Sequence, residues 1–179
     1  VASYLHLLLA AVCGRFCARG GNVIPGHLMP LGAHTDERDS KTWRTVTTDF
    51  PALMGVFPPN VLPEEILSEH PDRTRIVMCC QSNPLRSFAD TTAYEEAFSK
   101  IDLLVTCELS MTETARLSHY VLPALSGYES WDSTFFTWTF PEIYFQMRRP
   151  ILEPEGEPLH LSEIHVRIAD ALGLVPEIP

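Results

Sequence analysis

Three short apolar runs, Arg75–Cys80, Leu103–Cys107 and Tyr120–Leu122, each stop at a cluster of small, polar or turn-forming residues. Helical patterns lie between one run and the next. A half-buried strand alternates apolar and polar residues; near-continuous apolar runs instead predict strands covered on both faces, as in a sheet layered with helices. Two consecutive strand–helix–strand units call for right-handed crossovers and so for parallel strands. The expected fold class is α/β: an open, mostly parallel sheet flanked by helices, with long irregular segments. In such a sheet, ligands bind beyond the carboxyl ends of the strands.

Local signals place the remaining elements. Gln81–Pro84 reads as a turn, and Thr92 with Glu95 has the spacing of a capping box opening a helix to about Lys100. Thr112 can cap a shorter helix over Glu113–Ser118. Residues 1–16 put Leu5, Leu8, Leu9, Val12 and Phe16 on one helical face, with Gly20-Gly21 as the stop. Pro63, followed by Glu64 and Glu65, suits the first turn of a short helix. Leu161, Ile164, Ile168 and Leu172 form a stripe closed by Gly173 and predict a terminal helix.

Between these, residues 22–63 carry Pro25, Pro30, Pro51, Pro58, Pro59 and Pro63 with little periodicity. So long a stretch either wraps over parts of a larger protein or holds short elements without a periodic signal. Residues 124–158 are irregular and rich in aromatics, among them Trp131, Phe135, Phe136, Trp138, Phe140, Tyr144 and Phe145. The expected organisation is one partial domain: a helix at 1–21, a wrapping segment at 22–63, a strand–helix core at 64–123, and an aromatic loop with a terminal helix at 124–179. The sequence starts at Val1 inside a helical pattern and shows no basic leader, so it reads as a piece of something larger.

Composition narrows the partners. A net charge of −10 argues against nucleic acid and anionic membrane surfaces. It leaves phosphorylated ligands open, because backbone amides bind phosphate without net basicity. The apolar segment Leu7–Val12 is far short of the roughly 20 residues that cross a bilayer, so no direct membrane insertion is expected. Five cysteines without regular spacing do not make a disulfide framework. Cys13 and Cys17 have too few companions for a metal knuckle and read as small apolar fillers. No metal ligand is assigned to Cys79, Cys80 or any histidine; His27, His34 and His70 fall in loops, and His119 reads as a packing residue.

Three loops at the strand ends can therefore carry a ligand: Gln81–Ser87, Glu108–Thr112 and Ala124–Glu129. Asn83 offers an amide that donates and accepts, and Ser87, Thr112 and Thr114 offer hydroxyls. Glu108 could accept paired hydrogen bonds from ribose hydroxyls or a guanine edge. Each also has a local reading, Asn83-Pro84 as a turn, Thr112 as a cap and Glu108 as a solvated carboxylate.

These same residues carry a resemblance. "SNPLRSFAD" from Ser82, then "IDLLVTCELSMTETA" from Ile101, then "SHYVLPALSGYE" from Ser118 resemble the cofactor-binding region of the dimethyl sulfoxide reductase family. Those enzymes hold molybdenum or tungsten between pyranopterin guanine dinucleotides. The resemblance implies a Rossmann-like domain fragment of a larger oxidoreductase, gripping the guanosine end of a molybdopterin guanine dinucleotide. It implies cofactor contacts from Gln81, Ser82, Asn83, Ser87, Cys107, Glu108 and Thr112, with Glu129 and Gln146 as further candidates; Arg148 and Arg149 could pair with phosphate or with acidic surface groups. The catalytic and metal-ligating residues, and an iron–sulfur cluster, would lie upstream. Expected partners are the remaining domains of the enzyme and electron-transfer subunits, in the cytoplasm by default with the periplasm open.

The pattern departs from the family at Gln81, where glycine is frequent, at Cys107, often a polar position, and at His119, often Asp. Two other readings stay in view: a non-catalytic scaffold relative inside an electron-transfer complex, and an ordinary nucleotide-binding Rossmann-type domain. Against the latter, this sequence has no glycine-rich phosphate fingerprint after its first strand.

Overall fold

The computed structural model describes residues 2–22, 36, 38–53, 55–133 and 145–175. The chain clusters into two compact units, one of Val1–Leu31 with Trp131–Arg149, the other of Gly32–Ser130 with Pro150–Pro179.

In the first unit, α1 spans Ala2–Val12 and contains no buried residue. It ends sooner than the apolar stripe suggests. Gly14 adopts φ +64, its N–H reaches Ala11 O, and Arg15 N–H reaches Ala10 O. These paired bonds satisfy the last carbonyls and close the helix, so Phe16 lies outside it and Gly14, not Gly20-Gly21, is the stop. Two short strands, β4 (Asp132–Ser133) and β5 (Met147–Arg148), pair antiparallel in this unit. Most of the aromatic segment, from Phe135 to Tyr144, falls outside the described residues, as do His27, His34, Pro25 and Pro30.

The second unit holds the sheet. Strands β1 (Ile76–Cys80), β2 (Leu103–Glu108) and β3 (Tyr120–Pro123) lie in the order β1-β2-β3, all parallel. Helices α2 (Leu62–Leu67), α3 (Pro84–Ser87), α4 (Thr91–Lys100), α5 (Glu113–Leu117) and α6 (Leu161–Ala171) surround it. Directly paired residues of parallel strands share a face, so Val77 and Cys79 lie with Leu104 and Thr106. That face meets a core of Ile66, Leu85, Tyr94, Ala97, Phe98 and Ile101. Tyr94 and Phe98 meet edge to face at 5.4 Å, and the Tyr94 hydroxyl donates to Pro59 O.

The opposite face is covered only in part. At its carboxyl end α6 reaches Cys80 and Leu122. Ile76 and Tyr120 at its other end are each 64% exposed. Coverage of the strands on both faces is therefore incomplete among the described residues, because the helices that join consecutive parallel strands all pack on one face.

Two helix starts differ in detail from expectation. α4 is capped by Asp90, whose Oδ1 accepts the Ala93 N–H at 3.1 Å, and Thr92 is not the cap. Glu65 is buried and reaches sideways: its carboxylate accepts N–H bonds from Val46, Thr47 and Thr48 and the Thr48 hydroxyl, at 2.8–3.1 Å. Part of the proline-rich segment, with its bridges Arg44↔Pro51 and Leu53↔Val56, is anchored in this way. Gly173, at φ +68, closes α6 with the same pair of bonds that Gly14 makes.

Candidate functional site

The carboxyl edge of the sheet is assembled by contacts that tie each strand end to the next. Gln81 N–H donates to Cys107 O at 2.8 Å, carrying the β1–β2 ladder past the last residue of β1. Ala124 N–H donates to Glu108 O at 3.2 Å, doing the same for β2 and β3. The Gln81 side chain spans all three strands, its Nε2 donating to Leu125 O at 3.4 Å. The residue is held at φ +48, a left-handed backbone that a non-glycine residue rarely adopts.

Asn83 opens α3 and is the hub of the edge. Its Nδ2 donates to Glu113 Oε2 at 2.8 Å, and its Oδ1 accepts from Thr114 Oγ1 at 2.8 Å and from Thr114 N at 3.3 Å. Thr114 is wholly buried and so serves the fold, not the cleft. Thr112 caps α5 through Ala115 N, and Glu108 Oε1 accepts the Leu109 N–H. The third loop is held by Glu129, which accepts the Ser126 N–H at 2.9 Å; bonds from Ser126 keep its carboxyl below its ordinary value.

Of the residues picked from sequence, Gln81, Ser82, Asn83, Glu108 and Thr112 gather at this edge, with Glu129 on the neighbouring loop. Ser87 sits exposed at the far end of α3, one turn from Asn83. The Cys107 thiol is fully enclosed on the face opposite Thr106 and Glu108, so its carbonyl is what it presents to the edge. Gln146, Arg148 and Arg149 belong to the other unit. His119 is exposed and its Nδ1 accepts the Leu104 N–H at 3.0 Å, a hydrogen bond to β2 in place of the packing role expected.

Glu113 was missed. Its carboxyl lies below the ordinary value, first through the Asn83 bond and further through Arg86, whose Nε is 3.4 Å away. The only sequence clue was its place beside Thr112 and Thr114 after a strand end. The edge thus presents two carboxylates, hydroxyls and strand-end backbone groups, a set that suits ribose hydroxyls and the N–H donors of a purine. A separate apolar cavity of about 350 Å³, lined by Trp43, Phe57, Val61, Leu62 and Glu65 among others, shares none of these residues. No group of three or more His, Cys, Asp or Glu that could hold a metal ion occurs among the described residues.

Comparison with known proteins places the chain in a family. Residues 12–171 match the family model described as molybdopterin oxidoreductase. The F420-dependent formate dehydrogenase subunit alpha of Methanocaldococcus jannaschii is 33% identical over 109 residues, 61% of this chain and 16% of that protein. The trimethylamine-N-oxide reductase of Haemophilus influenzae is 29% identical over 106 residues, 59% of this chain and 12% of that protein. The acetylene hydratase of Pelobacter acetylenicus has the same fold over 68% of this chain and 16% of its own, with a TM-score of 0.61 and 24% identity. The chain therefore spans well under a quarter of the length of these relatives.

Proposed function

Because the chain belongs to the molybdopterin oxidoreductase family, we propose that its carboxyl edge grips the guanosine end of a molybdopterin guanine dinucleotide within a larger enzyme. The observation that carries this reading is the convergence of Gln81, Asn83, Glu108 and Thr112 at one end of a parallel sheet, joined by hydrogen bonds from strand to strand. The donor set fits that end of the cofactor. A carboxylate such as Glu108 can accept two N–H bonds from a guanine edge or two ribose O–H bonds. Ser82 and Thr112 add hydroxyls.

Asn83 has a different part to play. With its oxygen engaged by Thr114 and one N–H by Glu113, it orients α3 against α5 and so sets the spacing of the loops that would hold the nucleotide. When bound, the metal–pterin group supplies the redox chemistry; this chain binds and positions one tail of it. The metal ligand, an iron–sulfur cluster and the substrate site would lie in other parts of the enzyme. Relatives named as the alpha subunit of a formate dehydrogenase support electron-transfer partner subunits.

The test is calorimetric titration of the purified protein with guanosine diphosphate and with NAD. Guanosine diphosphate should bind and NAD should not. Glu108→Gln should weaken binding about ten- to a hundred-fold, the loss expected for one charged hydrogen-bonded contact. Equal binding of both nucleotides, or an unaltered affinity in Glu108→Gln, overturns the reading.

A further inference from the structure

A cysteine–histidine pair lies beside the proposed nucleotide edge but on the other face of the sheet. Cys80 Sγ is 3.8 Å from His165 Nε2, within reach of a hydrogen bond to sulfur. The other ring nitrogen, Nδ1, is 2.7 Å from Leu161 O. A carbonyl only accepts, so Nδ1 carries a proton and, in the neutral ring, Nε2 turns its lone pair toward the thiol. In that arrangement an imidazole can take a thiol's proton and leave a nucleophilic thiolate.

A second thiol stands next to the first. Cys107 is the register partner of Cys80 in the parallel pairing of β1 and β2. Paired residues project from the same face with Cα atoms about 4.8 Å apart, inside the roughly 4.4–6.8 Å range that a disulfide spans. Cys80 is half-buried and His165 exposed, whereas Cys107 is fully enclosed, so a reagent meets Cys80 first. Burial, then the charge and hydrogen bond of Cys80, push the Cys107 thiol up to about 11, which keeps it protonated beside its neighbour. Cys79 is buried on the opposite face of the sheet, against the core under α4.

We propose that Cys80 is a peroxide-reactive cysteine activated by His165, with Cys107 as its resolving partner. His165 Nε2 takes the Cys80 proton; the sulfur attacks one peroxide oxygen, the O–O bond breaks, and the leaving hydroxide takes the proton from His165 as water. The product is a sulfenic acid on Cys80. Cys107 sulfur then attacks Cys80 sulfur, the S–O bond breaks, and the hydroxyl departs with the Cys107 proton as a second water. Two thiols are oxidised to one disulfide and one peroxide is reduced to two waters. The disulfide would lock β1 to β2 directly behind the Gln81–Cys107 backbone bond. This stands whether or not the edge binds a guanosine.

The experiment treats the reduced, purified protein with one equivalent of hydrogen peroxide, blocks the remaining thiols with iodoacetamide, and maps tryptic peptides by mass spectrometry. A Cys80–Cys107 cross-linked peptide, two hydrogens lighter and reversed by dithiothreitol, is expected, and it should persist in Cys79→Ser. Exposed Cys13 and Cys17 are internal controls and should react more slowly. His165→Gln, at an exposed position, should slow Cys80 oxidation about tenfold or more. Cys107→Ser should leave a sulfenic acid on Cys80 that dimedone traps. Oxidation of Cys80 no faster than that of Cys13 and Cys17, or a rate unchanged in His165→Gln, overturns the proposal.

Discussion

The amide nitrogen of Asn83 donates to Glu113 Oε2 at 2.8 Å, across thirty residues of sequence. That bond and its companions to Thr114 fasten the first turn of α3 to the first turn of α5, and with them two strand-end loops. Asn83→Ala removes the acceptor of a fully buried hydroxyl. An unsatisfied buried group of this kind costs about 1–3 kcal/mol, and urea unfolding should show that loss. Asn83→Asp should cost at least as much near neutral pH, because a second carboxylate then faces Glu113.

Gln81 is held in a left-handed conformation and also makes a side-chain bond to Leu125 O. Gln81→Gly relieves the backbone and loses the bond; Gln81→Ala loses the bond and keeps the strain. The glycine variant should therefore be about 1 kcal/mol more stable than the alanine variant in denaturant unfolding. The reverse order would show that the backbone is unstrained.

Asp90, not Thr92, begins α4. Asp90→Ala should cost about 1 kcal/mol through the lost cap and the left-handed backbone at φ +60. Thr92→Ala should stay within about 0.5 kcal/mol, as for an exposed position with no special contact. Thermal melts of the two variants distinguish the caps directly.

Glu65 makes stability depend on acid. Burial by itself would push its carboxyl up, but the N–H bonds from Thr48, Thr47 and Val46 and the Thr48 hydroxyl outweigh this and hold it below the ordinary value. A carboxylate depressed in the folded state contributes stability that is complete above the unfolded value, near pH 4, and is lost as the pH falls through the lower folded value. Glu65→Gln should be less stable than the parent at pH 7, and the gap should narrow below about pH 4. Chemical unfolding followed from pH 7 to pH 3 measures both. Limited proteolysis should cut the 46–50 loop of the variant sooner, since that loop loses its anchor.

The parallel pairing of the strands and the three loops at the carboxyl edge of the sheet were legible because each rests on local patterns. Apolar runs of strand length, turn residues at fixed offsets, and helix caps such as Thr112 and Gly173 are properties of a few neighbouring residues. Family membership was legible for the same reason, since the resemblance lies in those turns. Where two local signals competed, as at Gly14 within an apolar stripe or at Asp90 ahead of Thr92, the hydrogen bonds of the folded helix end decided.

Only the tertiary structure could decide what each polar side chain does once in place. Asn83 binds Glu113 and Thr114, Glu65 collects the amides of a loop seventeen to nineteen residues away, and Cys80 meets both Cys107 and His165. A side chain's partners are set by register and packing between segments distant in sequence. No pattern of neighbouring residues encodes them, because the chain brings those groups together only after its strands have paired.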